Sequence, residues 1–256
     1  MTPAAFKRSI RDLQVWCSSC MVAFSGADPI GVLIGAKRPS GTLVHKIAVH
    51  PDHRRQGHGR HLLASLGSKL AILGPPRIVA EVPESLAPAR ELFNASGYVQ
   101  EAILTDFVLE GPDRSGRGNA ARVEGLVIPV TVDDLAANGL LGDAGRQVCW
   151  SRSVETLTAR KDDIAGLAVA SDERIEAYIL YVKGGTEETE IVSLRSMIDD
   201  GGAGLMELLA RLRAQGMQTF RLPKVHPAEI SLERVEALGF SPAGGHRLYA
   251  ASARSA

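Results

Sequence analysis

One stretch of the chain concentrates the residue types that handle phosphate: His45-Lys-Ile-Ala-Val-His-Pro-Asp-His-Arg-Arg-Gln-Gly-His-Gly-Arg-His-Leu-Leu63. An apolar strand pattern runs to Val49, and Pro51 breaks it. A basic loop follows and leads through Gly57 and Gly59 into a helix pattern, in which Leu62, Leu66, Leu70 and Leu73 recur at helical spacing. The first turn of a helix leaves its N–H groups without intrahelical acceptors and carries partial positive charge, so it attracts anions. Gly57 and Gly59 lack the Cβ atoms that would hinder a phosphate, and Arg54, Arg55 and Arg60 add full charges around the same turn. His58 stands within reach of such a group. These residues predict a phosphate or pyrophosphate seat. The two familiar alternatives do not fit. A Gly-x-x-x-x-Gly-Lys-Ser/Thr pattern is absent, and the third glycine of a dinucleotide fingerprint is replaced by Leu62.

Proton-transfer candidates flank this loop. Side chains alternate along a strand, so Leu43, His45, Ile47 and Val49 share one face of Thr42–Val49. His45 has the chemistry to deprotonate an ammonium near neutral pH. Glu81, on the next strand pattern, is the second candidate. His50, His53 and His61 read as exposed loop and helix residues. Cys17-Ser-Ser-Cys20 is a lone pair of thiols; a structural zinc site needs two further ligands, and no second Cys or His pair supplies them, so no metal is expected. Cys149 stands alone and reads as buried.

The elements that must hold this loop follow a recognisable order. A helix pattern over Phe6–Trp16 precedes strands at Met21–Phe24, Ile30–Ile34 and Thr42–Val49. After the long helix, Gly74-Pro75-Pro76 gives a stop. A strand over Arg77–Val82, a helix over Ala87–Ala95 ended by Gly97, and a β run over Tyr98–Leu109 complete the series. Strand, helix, strand at this spacing implies a parallel pair. The 256 residues divide most naturally at 112–119, within a stretch rich in Gly, Pro, Ser and Asn without apolar periodicity, giving parts of 1–111 and 120–256. The parts share an order of features. Phe6–Leu13 aligns with Trp150–Leu157, Ile47-Ala48 with Ile191-Val192, Gly57-x-Gly59 with Gly202-x-Gly204, and Gly97-Tyr98 with Gly239-Phe240. A tandem duplication explains the nearly constant offset. The second part carries an extra opening segment over Arg122–Val148, and the first part could borrow a strand from it at Arg122–Val130.

Composition narrows the class. Apolar residues make up 45% and charged residues 23%, as in ordinary globular chains. The 29 basic and 29 acidic side chains cancel, with a slight basic excess in the first part and an acidic one in the second. That is too even for a nucleic-acid partner, which calls for a clustered basic stripe. No run suits a membrane span. Three cysteines and a Met1–Ser9 segment without an apolar core point to the cytoplasm.

The segment Ile47-Ala-Val-His-Pro51 followed by Arg54-Arg-Gln-Gly57-His-Gly59 resembles motif A of the GCN5-related N-acetyltransferases (GNAT). Ala89-Arg-Glu-Leu-Phe93 with Gly97-Tyr98 is similar to that family's closing helix and the strand after it. The resemblance spans residues 6–110. It implies a mixed α/β fold, here two tandem acyl-CoA N-acyltransferase-like domains, in which two parallel strands splay and acetyl-CoA wedges between them. Carried over by position, the amides from Gln56 through Gly57, His58, Gly59 and Arg60 would hold the pyrophosphate, flanked by Arg54 and Arg55. The backbone of Ile47, Ala48 and Val49 would hold the pantetheine arm and the thioester carbonyl, and Phe93 would sit beside the cofactor. His45 falls where some members keep a histidine base. Two positions depart from the pattern: Phe93 replaces a tyrosine acid, and Leu86 replaces an asparagine.

In the second part the loop has changed. Asp199 stands opposite Arg54, and Asp200 follows it. The second part therefore reads as a degenerate copy. The expected activity is N-acetylation of a small-molecule or peptide amine by direct attack in a ternary complex. The alternative is a CoA-binding sensor without catalysis. The paired halves make either a monomer or a homodimer reasonable.

Overall fold

The computed structural model describes residues 2–111, 125–142, 147–184 and 188–253. Its fold is mixed α/β. Contacts divide it into two compact units: Met1–Ile103 with Gly245–Ala256, and Leu104–Gly244. The 112–119 stretch, where sequence places the division, lies outside the described residues, and so does part of Arg122–Val130. The contact boundaries fall inside two strands instead.

The first unit opens with helix α1 (Pro3–Leu13), three residues short of the Trp16 end expected from its apolar pattern. Strands β1 (Met21–Ser25), β2 (Asp28–Arg38) and β3 (Gly41–Val49) form an antiparallel meander. Helix α2 (His58–Leu73) crosses over to β4 (Arg77–Pro83), which lies parallel to β3. Helix α3 (Ala87–Ala95) follows, and Gly97 takes the left-handed conformation (φ 79°) that lets the chain enter β5 (Val99–Leu109). Only Val99–Ile103 of β5 belongs to this unit. The strand completing it comes from far along the chain. Residues 246–252 of β11 (Ser241–Ser252) pair antiparallel with all of β4, from His246 opposite Pro83 to Ser252 opposite Arg77. Leu62, Leu63, Leu66 and Leu70 of α2 pack with Leu33, Val44, Ile78, Ala80, Val82, Phe93, Tyr98 and Tyr249 into one core. That burial fixes α2, and with it the loop, against one face of the sheet.

The second unit repeats this element order after an opening strand and helix. Strand β6 (Leu126–Val130) pairs with β7 (Ile164–Ala170), so this segment completes the second unit and not the first. Helices α4 (Val132–Ala137) and α5 (Val154–Ala159) lie between them in the chain. Strands β8 (Ile175–Val182) and β9 (Glu188–Ser196) extend the antiparallel run. Helix α6 (Ala203–Ala214) leads to β10 (Thr219–Val225), parallel to β9, and α7 (Leu232–Ala237) precedes β11. The closing strand here is the Leu104–Leu109 end of β5, antiparallel to β10. Each unit is thus finished by strand residues from the other half of the chain. No described helix is long and apolar enough to cross a membrane.

Candidate functional site

The loop between β3 and α2 is built by local chemistry. The His50 N–H bonds to the Ile30 carbonyl at 2.7 Å and ties the strand end to β2. Pro51–His53 make a single 3-10 turn. Arg54 Nε donates to the Val49 carbonyl at 3.1 Å, so Arg54 holds the end of β3 in place. Gln56 Nε2 pins the loop through the Asp52 carbonyl at 3.0 Å. Arg55 adopts φ 62°, a left-handed conformation costing a non-glycine residue about 1–2 kcal/mol. Its guanidinium meets Glu91 of α3 at 3.1 Å, with both side chains largely exposed.

Gly57 (φ 88°) caps α2 without a side-chain hydrogen bond, and a Cβ there would meet open space. The first helical bond runs from the His61 N–H to the Gly57 carbonyl at 3.0 Å. The amides of His58, Gly59 and Arg60 precede it and point out of the helix end. Gly59 serves another purpose than the one expected. A Cβ there would sit 3.1 Å from Leu92 Cδ1, so this glycine lets α2 and α3 approach.

Where the loop meets the sheet, β3 and β4 part. Their ladder comprises Thr42 with Ile78 and Leu43 with Val79, and beyond Leu43 the two strands diverge. A cavity of about 670 Å³ lies past this parting, at the loop end of β3. Ile47, Ala48 and Val49 line it from the strand, His53 to Arg55 and Gly57 to Arg60 from the loop and helix, and Leu86, Pro88, Ala89, Glu91, Leu92 and Ala95 from the α3 side. A split parallel pair, a positively charged helix N-terminus and three arginines around one cleft suit a long ligand with phosphate at one end.

Residues 16–100 match the family model for the acetyltransferase (GNAT) domain. These residues form a GNAT domain. Solved structures agree on the fold across the chain. A tandem GNAT protein from the clavulanic acid biosynthesis pathway is 16% identical with a TM-score of 0.63, over 97% of this chain and 88% of that one. A GCN5-related N-acetyltransferase from Anabaena variabilis is 10% identical with a TM-score of 0.68, over 99% and 67%. One from Sphaerobacter thermophilus is 14% identical with a TM-score of 0.63, over 92% and 81%. No protein with a curated description matches the sequence.

Within the GNAT domain, the face assignment along β3 needs correction. Gly35 pairs with Val44 and Ile34 with Lys46, so His45 is the extra residue of a β-bulge. The bulge resets the alternation. Val44 and Ile47 pack toward α2 with Leu33, while Leu43 and Lys46 lie on the opposite face. Leu43 and Ile47 therefore do not share a face, and His45 belongs to the bulge. His45 is half-buried, and its Nε2 is closed off from solvent. Glu81 is half-buried on β4. Its neighbours Ala80 and Val82 pack toward α2, so Glu81 lies on the far face, opposite Leu248 of β11.

Phe93 also departs from expectation. It is 2% exposed, T-shaped against Tyr98 (5.1 Å) and stacked on Tyr249 (5.8 Å), and it is not among the residues lining the cleft. It is a core residue, chosen for ring packing. Tyr98, its neighbour in this core, has its phenol raised well above the ordinary value by burial and does not line the cleft either. Leu86, half exposed at the N-cap of α3, does line the cleft. The thiols of Cys17 and Cys20 are free, and no group of three ligating side chains occurs among the described residues.

The second unit carries the counterpart turn. Gly202 caps α6 at φ 90°, close to the 88° of Gly57. Its amides are already engaged, however. Asp200 accepts from the Gly202 N–H at 2.9 Å, from the Gly204 N–H at 2.7 Å and from the Ser196 hydroxyl at 3.2 Å. Burial disfavours the Asp200 charge, but the Gly204 and Gly202 amides and the Ser196 hydroxyl outweigh it and hold the carboxyl below its ordinary value. Asp199, which sequence singled out, is 96% exposed and only 3.8 Å from Arg234. Asp200, one residue on, sits in the turn. The sequence signal for this was a carboxylate two positions before an N-cap glycine.

Proposed function

We propose that this protein is an acetyl-CoA dependent N-acetyltransferase whose first unit binds the donor and carries the chemistry. The observation that supports it most is the parting of β3 and β4 beyond Leu43, over the N-terminus of α2, inside a GNAT domain. The amides of His58, Gly59 and Arg60 hold the pyrophosphate, with Gly57 leaving its approach open and Arg55 and Arg60 adding charge. The strand edge at Ile47, Ala48 and Val49 receives the pantetheine arm and the thioester carbonyl. An N–H donor aimed at that carbonyl stabilises the charge that develops there in the transition state.

The acceptor is a primary amine of a small molecule or peptide. Its lone pair attacks the thioester carbon, the C–S bond breaks, and the thiolate leaves. Holding both reactants side by side provides much of the rate. Before attack the ammonium must lose a proton. Glu81 is better placed to receive it than His45, because it is half-buried on the strand edge that β3 has left, whereas the His45 Nε2 is closed off from solvent. With Phe93 in the core, the departing thiolate takes its proton from the amine nitrogen or from water.

The second unit is a degenerate copy with its anion seat filled by Asp200. The chain therefore takes one donor molecule, as a monomer or as each half of a homodimer. Calorimetric titration with acetyl-CoA tests this: one site per chain is expected. Two sites would overturn the division of labour between the units, and no binding would overturn the donor assignment. A second reading, a CoA sensor without turnover, draws on the absence of an acid at Phe93 and on Leu86 at the cleft. Initial rates with spermidine, tyramine, glucosamine and a lysine-bearing peptide separate the two.

A further inference from the structure

Strand β11 brings a second titratable side chain alongside Glu81. His246 pairs with Pro83 and Leu248 pairs with Glu81, with no register shift between them. Tyr249 and Ala80, the next pair, both belong to the core under α2. By alternation, His246 and Glu81 lie on the other face of the sheet, as diagonal neighbours on adjacent strands. Diagonal neighbours have Cβ atoms about 7 Å apart or less, within reach of a glutamate and an imidazole. Both are half-buried, and both stand at the end of β4 that β3 has left. Among the described residues, charged groups toward this end include Glu84 on the turn after β4, Arg247 of β11 at 3.4 Å from Glu84, Lys46 on β3 and His45 at the bulge. Arg247 also holds Gln100 at 2.8 Å.

We infer that His246 is a positioning residue for proton transfer, acting through Glu81. This rests on the acetyltransferase reading above. Glu81 takes one proton from the acceptor's ammonium, which frees the nitrogen lone pair. The carboxylic acid passes that proton to the His246 imidazole, a downhill step because a carboxylic acid is stronger than an imidazolium by about two pK units in water. Glu81 is then an anion again while the C–N bond forms and the C–S bond breaks. The thiolate leaves with its electron pair and takes the second nitrogen proton, and the imidazolium returns the first to water. Nothing near His246 in the chain marks it for this role; the pairing of β11 with β4 puts it there.

Two measurements test the inference. The first needs no acceptor: the His246 imidazole resonances are compared by NMR at one pH in the full-length protein and in Glu81→Gln. Loss of the neighbouring carboxylate should shift the imidazole resonances, and unshifted resonances overturn the pairing. The second compares His246→Gln and His246→Ala with the parent in acetyl-CoA affinity and in turnover of whichever test amine is accepted. Acetyl-CoA affinity should hold, while kcat falls about ten- to hundredfold and the acid limb of the pH–rate profile changes shape. Unchanged kcat and pH profile overturn the role of His246. Lost acetyl-CoA binding in the parent would instead count against the donor assignment and leave the NMR result to judge the pair.

Discussion

Asp200→Ala should destabilise the second unit, and the structure sets the size. The carboxylate bonds two backbone amides and one hydroxyl at 2.7–3.2 Å. Removing an acceptor at a helix N-terminus costs about 1 kcal/mol in the typical case and about 2 at most. A negative charge beside the helix end adds about 0.3–1 kcal/mol. Asp200 is partly exposed, so water replaces some of what is lost, and about 2 kcal/mol is expected near neutral pH. Asp200→Asn keeps one acceptor oxygen and should lose about half as much. Trp150 is 8% exposed within the second unit and Trp16 is 58% exposed in the first, so urea unfolding followed by Trp fluorescence reports mainly on the second. At a slope of about 2 kcal/mol per molar urea, the midpoint should fall by about 1 M. The effect must also depend on pH. The folded carboxyl titrates below its ordinary value, so its contribution is complete above about pH 4 and disappears as the pH drops through the depressed value. The gap between parent and variant should therefore be full at pH 7 and shrink in strong acid. Equal midpoints at pH 7, or a gap that persists unchanged in acid, would refute the internal-anion account.

Three further outcomes follow from the described geometry. Gly57→Glu should abolish acetyl-CoA binding by calorimetry while leaving circular dichroism intact, since the new side chain enters open space at the cleft and the left-handed backbone costs only about 1–2 kcal/mol. Glu229→Gln should cost about 3–5 kcal/mol in urea unfolding, because it leaves the Arg152 guanidinium, 1% exposed and bonded to Glu229 at 2.5 Å, without its countercharge. His45→Ala should leave acetyl-CoA affinity nearly unchanged, and if Glu81 is the proton acceptor its turnover should exceed that of Glu81→Gln. The reverse order would return the role to His45.

The anion loop was legible because its determinants are adjacent in the chain: Pro51 to end a strand, Gly57 to turn it, and a leucine stripe to bury α2. Helix α3 was readable at both ends for the same reason. The bulge at His45 was not, because it arises from pairing with Ile34 and Gly35 on another strand, and alternation within one strand cannot report it. The reason for Gly59 was hidden in Leu92, and that for Phe93 in Tyr249, both distant in sequence. Asp200 was visible beside Asp199, but which of the two carboxylates receives the amides depends on which one the turn folds inward. The place of β11 was beyond local reading altogether.

That placement governs how the protein is made. His246 and Pro83 are 163 positions apart, so during synthesis β4 reaches its folding partners long before its antiparallel neighbour has left the ribosome. Until then one edge of β4 has no ladder partner, and a bare edge invites pairing with another chain. Contacts of such long sequence separation also slow folding. The first unit, synthesised first, is therefore the later of the two to be completed. A nascent chain arrested before residue 245 should be held by chaperones or aggregate, whereas release of β11 completes the first unit.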